Sequence, residues 1–190
     1  MNGVVRVGVL ADTHIPHLAK TMPVGVLKAF QNVDLILHAG DLDEMCALDD
    51  LRLLASLVFA VRGNVHVRFG TWSSPHLPKA IHFWIKGHHI VLNHGIPYLG
   101  RAMAYKLWGW LGEKDIRLNQ RLIGDQQRAF PDADLVIFGH SHCAIVERRG
   151  KTLFVNPGAP LRADSKDMSS VALLTIDREK IEAEIIPLQA

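Results

Sequence analysis

The chain has 190 residues, of which 48% are apolar and 21% are charged, with 15 glycines and nine prolines. This composition is that of a globular protein, and it excludes a disordered, collagen-like or low-complexity chain. A single domain over residues 1–190 is expected, because a chain of this length can bury a full core by itself. The net charge of +2 and the lack of a long basic run argue against a polyanionic partner, so neither long nucleic acid nor a membrane is expected as a partner.

The cysteines and the apolar runs favour a cytoplasmic protein. Only Cys46 and Cys143 are present, and the first residues lack the pattern of a secretory signal. The longest mostly apolar stretch, 96–111, is interrupted by Arg101 and Lys106. It is shorter than the about 20 residues that a transmembrane helix needs.

Five short runs rich in Val, Ile and Leu predict strands that are buried on both faces. They are Val4–Leu10, Val33–Leu37, Leu57–Val61, Ile90–Leu92 and Leu135–Phe138. Between the first three runs, apolar residues recur at helical spacing after Pro23 and again from Met45 to Ala55. This order predicts a βαβαβ opening with parallel strands.

The later part of the chain predicts hairpins and one long helical region. Pairs of strand-like runs flank Gly87, Arg149-Gly150 and Asp177–Lys180, and short turns of this kind favour antiparallel pairing. Helical spacing extends from Leu99 to about Phe130, where Pro131 follows. The whole pattern predicts a mixed α/β protein.

The residues directly after the five strand runs share one chemistry, because each group offers oxygen or imidazole nitrogen. The groups read ADTH at 11–14, HAGD at 38–41, RGN at 62–64, NHG at 93–95 and GHSH at 139–142. Ligand sites collect at the carboxyl ends of strands in α/β sheets, so we expect these groups to converge. The candidate metal ligands are Asp12, His14, Asp41, Asn64, His94, His140 and His142. Seven ligands are too many for one ion and suit two ions that share a carboxylate.

Each candidate ligand also has a simpler explanation when it is taken alone. Asp41 could cap a helix, and Asn64 could be a turn residue. Ligand residues at five successive strand ends favour the metal site over independent coincidences. Because the set has no thiolate, two divalent ions are expected, with Mn²⁺ favoured and Fe, Ni²⁺, Co²⁺ or Zn²⁺ left open.

The five groups resemble the motifs of the calcineurin-like metallophosphoesterases, which are D-x-H, G-D, G-N, a His before Gly, and G-H-x-H. Within that superfamily the chain is similar to small prokaryotic phosphodiesterases related to the retromer scaffold subunit. That similarity rests on the sequence ADTHIPH, on Met22-Pro23 and on the segment VNPGAP at 155–160. The resemblance implies a four-layer α/β/β/α sandwich of two mixed β-sheets flanked by helices.

The resemblance also implies how the ligands are shared. It assigns Asp12, His14, Asp41 and His142 to one ion, and Asp41, Asn64, His94 and His140 to the other. Asp41 is then the bridge, and the implied reaction is attack on phosphorus by a hydroxide that bridges the two ions. His38 and Asn156 are expected to lie behind the ligands, although both residues could simply satisfy local backbone groups.

One position departs from the family pattern. Many phosphatases of the family have a His after the motif Asn, and it assists the leaving group, whereas this chain has Val65 followed by His66. Because Val65 cannot transfer a proton, His66 or His17 is expected to take the role, and His66 is assigned as the catalytic residue. A small phosphodiester is then favoured over a monoester as the substrate, because its leaving group is often better.

An aromatic segment, residues 98–110, contains both tyrosines and two of the four tryptophans. It predicts a homodimer interface or a lid over the substrate, with plain core packing as the alternative.

Two other functions stay open beside the dinuclear phosphoesterase. They are a metal-binding, protein-interaction scaffold of the retromer-subunit type without turnover, and a mononuclear zinc hydrolase, which would leave several ligands unexplained.

Overall fold

The computed structural model describes residues 3–63, 65–66, 71–72, 76–95, 115–161 and 168–188. Side chains are described for these residues except 65–66, 71–72 and 115–117. The elements in chain order are β1 (Val5–Leu10), α1 (Val24–Ala29), β2 (Leu35–His38), a 3₁₀ helix (Met45–Leu48), α2 (Asp49–Arg52), β3 (Leu57–Ala60), β4 (Val65–His66), β5 (Thr71–Trp72), β6 (Ala80–Ile85), β7 (His88–Asn93), α3 (Asp115–Ala129), β8 (Leu135–Ile137), β9 (Ile145–Arg149), β10 (Thr152–Asn156), β11 (Ser170–Ile176) and β12 (Ile181–Pro187).

The first five-stranded sheet has the order β12-β11-β1-β2-β3. Its strands β1, β2 and β3 run parallel, and Leu35 lies between Val7 and Leu57 in the register. The predicted βαβαβ opening is therefore confirmed. The second strand begins at Leu35 rather than at the predicted Val33, because Asp34 turns the chain by binding the backbone of Arg6 through both its main-chain amide and its carboxylate.

The second five-stranded sheet has the order β6-β7-β8-β10-β9, and β4 pairs with β5 in a separate two-stranded sheet. The hairpins β6/β7, β9/β10 and β11/β12 are antiparallel, which confirms the three predicted turns. The central strands β7, β8 and β10 run parallel. Both sheets are therefore mixed.

The two sheets pack face to face around a shared apolar core that includes Val9, Leu37, Leu92 and Ile137, all fully buried. A second cluster fills the outer face of the first sheet, where Phe30 and neighbouring residues of α1 pack. A third cluster sets α3 against the outer face of the second sheet. These layers confirm the predicted α/β/β/α sandwich.

The predicted helical region 99–130 is confirmed in its second part, where α3 extends from Asp115 to Ala129. Residues 96–114 lie outside the described residues and include the whole aromatic segment 98–110. The homodimer interface or lid thus stays a prediction. Within the described ranges, none of the helices combines the length and the apolar content needed to cross a bilayer.

Candidate metal centre

Four strand ends come together at one edge of the sandwich. Two groups of three side chains each bring their ligand atoms within 4.8 Å of one another. They are Asp12, His14 and His142 in one group, and Asp12, Asp41 and His94 in the other. Five of the seven predicted ligands therefore converge, from segments that follow β1, β2, β7 and β8. Asp12 belongs to both groups.

The two carboxylates are buried among imidazoles, with Asp12 0% and Asp41 4% exposed. The Oδ2 atom of Asp41 lies 3.3 Å from Nε2 of His94 and 3.8 Å from Nε2 of His14. The Oδ1 atom of Asp12 lies 3.6 Å from Nε2 of His142 and 3.8 Å from Nε2 of His94. Each carboxylate thus faces two imidazole nitrogens.

Hydrogen bonds fix which nitrogen of two imidazoles faces the carboxylates. Nδ1 of His94 lies 2.7 Å from the carbonyl oxygen of Ala39, which can only accept, so Nδ1 carries the proton. Nδ1 of His14 lies 3.4 Å from the carboxylate of Asp43 and donates in the same way. In the neutral form of each ring, Nε2 is then the unprotonated nitrogen, which is the one able to bind a metal.

The backbone amide of His140 contacts the centre. Its amide donates to both carboxylate oxygens of Asp12, at distances of 3.2 and 3.0 Å. Its ring stands edge-on to that of His94, with the centroids 5.5 Å apart. His140 is a member of neither three-residue group.

Two predicted site residues lie outside what the structure describes: Asn64 itself and the side chain of His66. The chain just before Asn64 passes very close to Asp41. A Cβ atom built on Gly63 would lie 1.7 Å from Oδ1 of Asp41. Only glycine allows this approach, which carries the chain past the carboxylate.

His38 is fully buried and bonds to chain neighbours of the candidate ligands. Its Nδ1 accepts from the amide of Gly40 at 3.2 Å, so its Nε2 carries the proton of the neutral ring and donates to Oγ1 of Thr13 at 3.0 Å. Burial lowers the pKa of His38 to about 3, with a smaller contribution from the nearby imidazole of His94. His38 is therefore a neutral link between the segments that hold Asp12, His14 and Asp41.

The electrostatics of the centre are dominated by the two buried carboxylates. Burial raises the pKa of Asp12, and the charge of Asp41 adds to this effect against the imidazoles. Burial would lower the pKa of His94, but the carboxylates of Asp41 and Asp12 outweigh it and raise that pKa to about 9. Two desolvated carboxylates surrounded by imidazole nitrogens form a donor set that fits divalent cations, whose charge would stabilise both anions.

The backbone around the centre is strained. Among the residues that the structure describes, seven non-glycine residues have positive φ, and six of them belong to the centre or adjoin it, namely Asp12, His14, Asp41, Asp43, His140 and His142. Left-handed backbone costs about 1–3 kcal/mol at such residues and is retained where the surroundings enforce it. The strained turns aim successive side chains at one point.

A buried polar network supports the loop that carries His140 and His142. The amide of Asn156 donates to the carbonyl oxygen of Gly139 at 2.9 Å and to Oγ of Ser141 at 2.9 Å. Oγ of Ser141 in turn donates to Oδ1 of Asn119 at 2.6 Å. Asn156 thus supports the loop from the side of Gly139 and Ser141. Asn119 and Asp43 were not among the residues predicted for the site, although an Asn on the inner face of an amphipathic helix is a usable signal for Asn119.

Comparisons with known proteins identify the family and agree with the fold. The calcineurin-like phosphoesterase superfamily domain matches residues 5–179. A "Probable metallophosphoesterase" of Methanothermobacter thermautotrophicus is 35% identical over 180 residues, covering 95% of this chain and 91% of that protein. Vacuolar Protein Sorting 29 from Cryptosporidium parvum superposes with a TM-score of 0.69 at 19% identity, over 98% of this chain and 92% of that one. Vps29 from Entamoeba histolytica, solved in complex with Zn²⁺, gives a TM-score of 0.66 at 23% identity, over 97% of this chain and 100% of that one.

The fold and the site together define a protein with a carboxylate and imidazole centre at the edge of a two-sheet sandwich. The chain belongs to the calcineurin-like phosphoesterase superfamily. Members of this family bind divalent metals and act on phosphate esters, and this chain brings candidate metal ligands together at one edge of the sandwich.

Proposed function

We propose that this protein is a dinuclear, metal-dependent phosphoesterase that hydrolyses a small phosphodiester. The observation that carries the proposal is that two adjacent groups of ligand atoms contain two buried carboxylates, Asp12 and Asp41, with three imidazoles around them. One divalent ion would use only one group, whereas two adjacent groups give each of two ions its own imidazoles. The Zn²⁺ complex of the similarly folded Entamoeba Vps29 supports metal binding at this fold.

Under this proposal Asp12, His14 and His142 hold one cation, and His94 helps to hold the other together with Asn64 and His140. Asp41 is the proposed bridge, supported by the approach of its Oδ2 to both His14 and His94. When bound, the two cations would activate water as a nucleophile and neutralise charge on the phosphoryl oxygens. The ordered Nδ1–H donors of His94 and His14 keep their Nε2 atoms turned toward the centre.

A leaving-group proton needs a further residue, since Val65 occupies the position that the family pattern gives to a histidine. The sequence assigns the role to His66. The contact of His17 with Asp43, at 2.8 Å, supports His17 as the second candidate, because that carboxylate also contacts His14.

The test is hydrolysis of bis-p-nitrophenyl phosphate and p-nitrophenyl phosphate by chelator-treated protein supplied with Mn²⁺, Ni²⁺, Co²⁺ or Zn²⁺. We expect metal-dependent turnover that is faster with the diester, two bound ions per chain, and about a 10³-fold loss in Asp12→Asn. Glu184→Gln, which removes an exposed carboxylate on β12, is the matched control and should keep full activity. A faster monoester would contradict the diesterase assignment.

A second function is favoured by the fold comparisons, because the Vps29 structures share this sandwich. We propose a metal-binding interaction scaffold as the alternative. Two bound ions without turnover on either ester, under all four metals, would support the scaffold and contradict the enzyme.

A further inference from the structure

A second cluster of histidines lies on the β6/β7 hairpin, away from the centre. His82 and Trp84 project from the outer face of β6, and His89 on β7 is the register partner of Trp84. His89 precedes the ligand His94 by five residues, which is about 16 Å along an extended strand. The cluster is therefore separate from the phosphoesterase centre.

Two imidazole nitrogens of this cluster face each other. Nδ1 of His82 lies 3.0 Å from Nε2 of His89. Two nitrogen ligands about 2.1 Å from one ion, and at about a right angle to each other, are also about 3.0 Å apart. The pair thus has the spacing of neighbouring ligands in a square-planar or octahedral site, as well as that of a hydrogen bond.

Aromatic stacking holds the two imidazoles in place. The indole of Trp84 stacks on His89 with the centroids 5.0 Å apart and the planes 14° apart. His82 stacks on His89 at 5.3 Å and meets the edge of Phe130 at 5.8 Å. Rings fixed in this way lose little conformational freedom when they bind a ligand. Trp84 is 73% exposed and His82 is exposed, so solvent reaches the pair.

We propose that His82 and His89 form an accessory binding site for a late divalent transition metal, with Cu²⁺ bound most tightly and Ni²⁺ and Zn²⁺ more weakly. Imidazole nitrogen suits these ions, and right-angled geometry favours Cu²⁺ and Ni²⁺. Mn²⁺ is the weakest ion of the series for such ligands and leaves the pair unbound. The proposal does not depend on the phosphoesterase function, because it uses none of the residues of the centre.

The test is a Cu²⁺ titration of chelator-treated full-length protein, followed by bound copper, by Trp fluorescence and by the nitrogen hyperfine pattern in electron paramagnetic resonance. We expect His82→Ala and His89→Ala each to lose one copper per chain, or to bind it about tenfold or more weakly. Trp84→Phe should keep that copper but lose the quenching of indole emission.

His88→Ala is the matched control, because His88 lies on the same hairpin but contacts the carbonyl oxygen of Asp177 at 2.9 Å. It should bind as much copper as the unmodified protein. Equal copper binding in His82→Ala, His89→Ala and His88→Ala would overturn the proposal and leave the pair as a hydrogen bond. Mn²⁺-dependent phosphoesterase turnover should be unchanged in His82→Ala, which separates this site from the centre.

Discussion

Asp43 accepts a hydrogen bond from His17, with Oδ2 of the carboxylate 2.8 Å from Nδ1 of the ring. Its other oxygen lies 3.4 Å from Nδ1 of His14. The Asp43 side chain is 4% exposed, whereas that of His17 is 48% exposed. One buried carboxylate therefore orients a proposed metal ligand and a solvent-accessible imidazole three residues further along the chain. That arrangement makes His17 a candidate proton donor beside the centre.

Substrates with poor and good leaving groups can show whether His17 or His66 donates the proton. We expect His17→Ala to lower kcat about 10²-fold for an alkyl ester, because a poor leaving group needs a proton. With bis-p-nitrophenyl phosphate the loss should be less than about threefold, since p-nitrophenolate departs unaided. The measurement is kcat for both esters in His17→Ala and His66→Ala. If only His66→Ala lowers kcat, and only for the alkyl ester, His66 is the proton donor to the leaving group.

The carboxylate of Asp12 should lower the Tm of the metal-free protein and raise the Tm of the metal-bound protein. Its carboxylate is fully buried, and burial raises its pKa. We therefore expect Asp12→Asn to raise the Tm in the presence of a chelator, because a buried charge is removed while one oxygen acceptor is kept. The Tm gain on adding Mn²⁺ should shrink, since fewer ligands hold the ion.

Thermal unfolding with and without Mn²⁺ measures both effects. Glu184→Gln, which changes an exposed carboxylate, should behave like the unmodified protein in both conditions. An equal Tm gain from Mn²⁺ in Asp12→Asn and the unmodified protein would show that Asp12 is not a ligand.

The sandwich was largely predictable because its central strands are buried on both faces. Such strands read as unbroken runs of Val, Ile and Leu, and β2, whose residues Leu35–His38 are all buried, shows the pattern. The convergence of these side chains was predictable as well, because polar residues follow those runs directly. Asp12 and Asp41 stand two and three residues beyond the ends of β1 and β2, where α/β sheets form their sites.

Contacts between distant segments could not be predicted in the same way. Asp43 resembles a surface acid in the sequence, and its burial between His14 and His17 depends on a left-handed turn. Asn119 is separated from Ser141 by 22 residues, so only the docking of α3 brings the two together. The two-residue turn of the β6/β7 hairpin places His82 and His89 on a diagonal, but the approach of their rings depends on side-chain rotamers that the sequence does not specify.

His38 should make the metal-free protein lose stability in acid. Its pKa is about 3 in the folded protein, against 6.5 as the ordinary value. Between these values the unfolded chain binds the extra proton, so the free energy of unfolding falls as the pH decreases from 6.5 toward 3. The slope contributed by one proton is about 1.4 kcal/mol per pH unit.

Urea denaturation of chelator-treated protein between these pH values provides the check. We expect His38→Gln to have a shallower decline than the unmodified protein, whereas His76→Gln, at an exposed position, should not change the slope. Parallel declines in all three proteins would contradict a neutral, buried His38.

Asn156 should act on the centre through the loop that it supports. Asn156→Ala removes the donor to Gly139 and Ser141 in a fully buried site. We expect a loss of about 1–3 kcal/mol in the free energy of unfolding, because buried partners are left unsatisfied. Metal affinity should fall about 10–100-fold as the loop holding His140 and His142 loosens. Gln120→Ala, at an exposed position of α3, is the control, because it also removes a side-chain amide. Full metal affinity in Asn156→Ala would refute the supporting role of Asn156.

Gly63 offers a steric test of how closely the chain must pass Asp41. In Gly63→Ala the new methyl group would lie 1.7 Å from Oδ1 and 2.4 Å from the backbone nitrogen of Asp41, so the carboxylate or the turn has to move. We expect metal affinity and turnover to fall by about 10²-fold or more, since displacements of about 1 Å at a site have costs of that size.

Gly124→Ala, on α3, is the control. There the nearest atom would be 3.9 Å from the new methyl group, and the change should instead stabilise the helix by about 0.5–1 kcal/mol without affecting turnover. Isothermal titration with Mn²⁺ and the diesterase assay compare the two variants directly. Wild-type affinity in Gly63→Ala would mean that Asp41 can shift without loss and is not the fixed bridge of the centre.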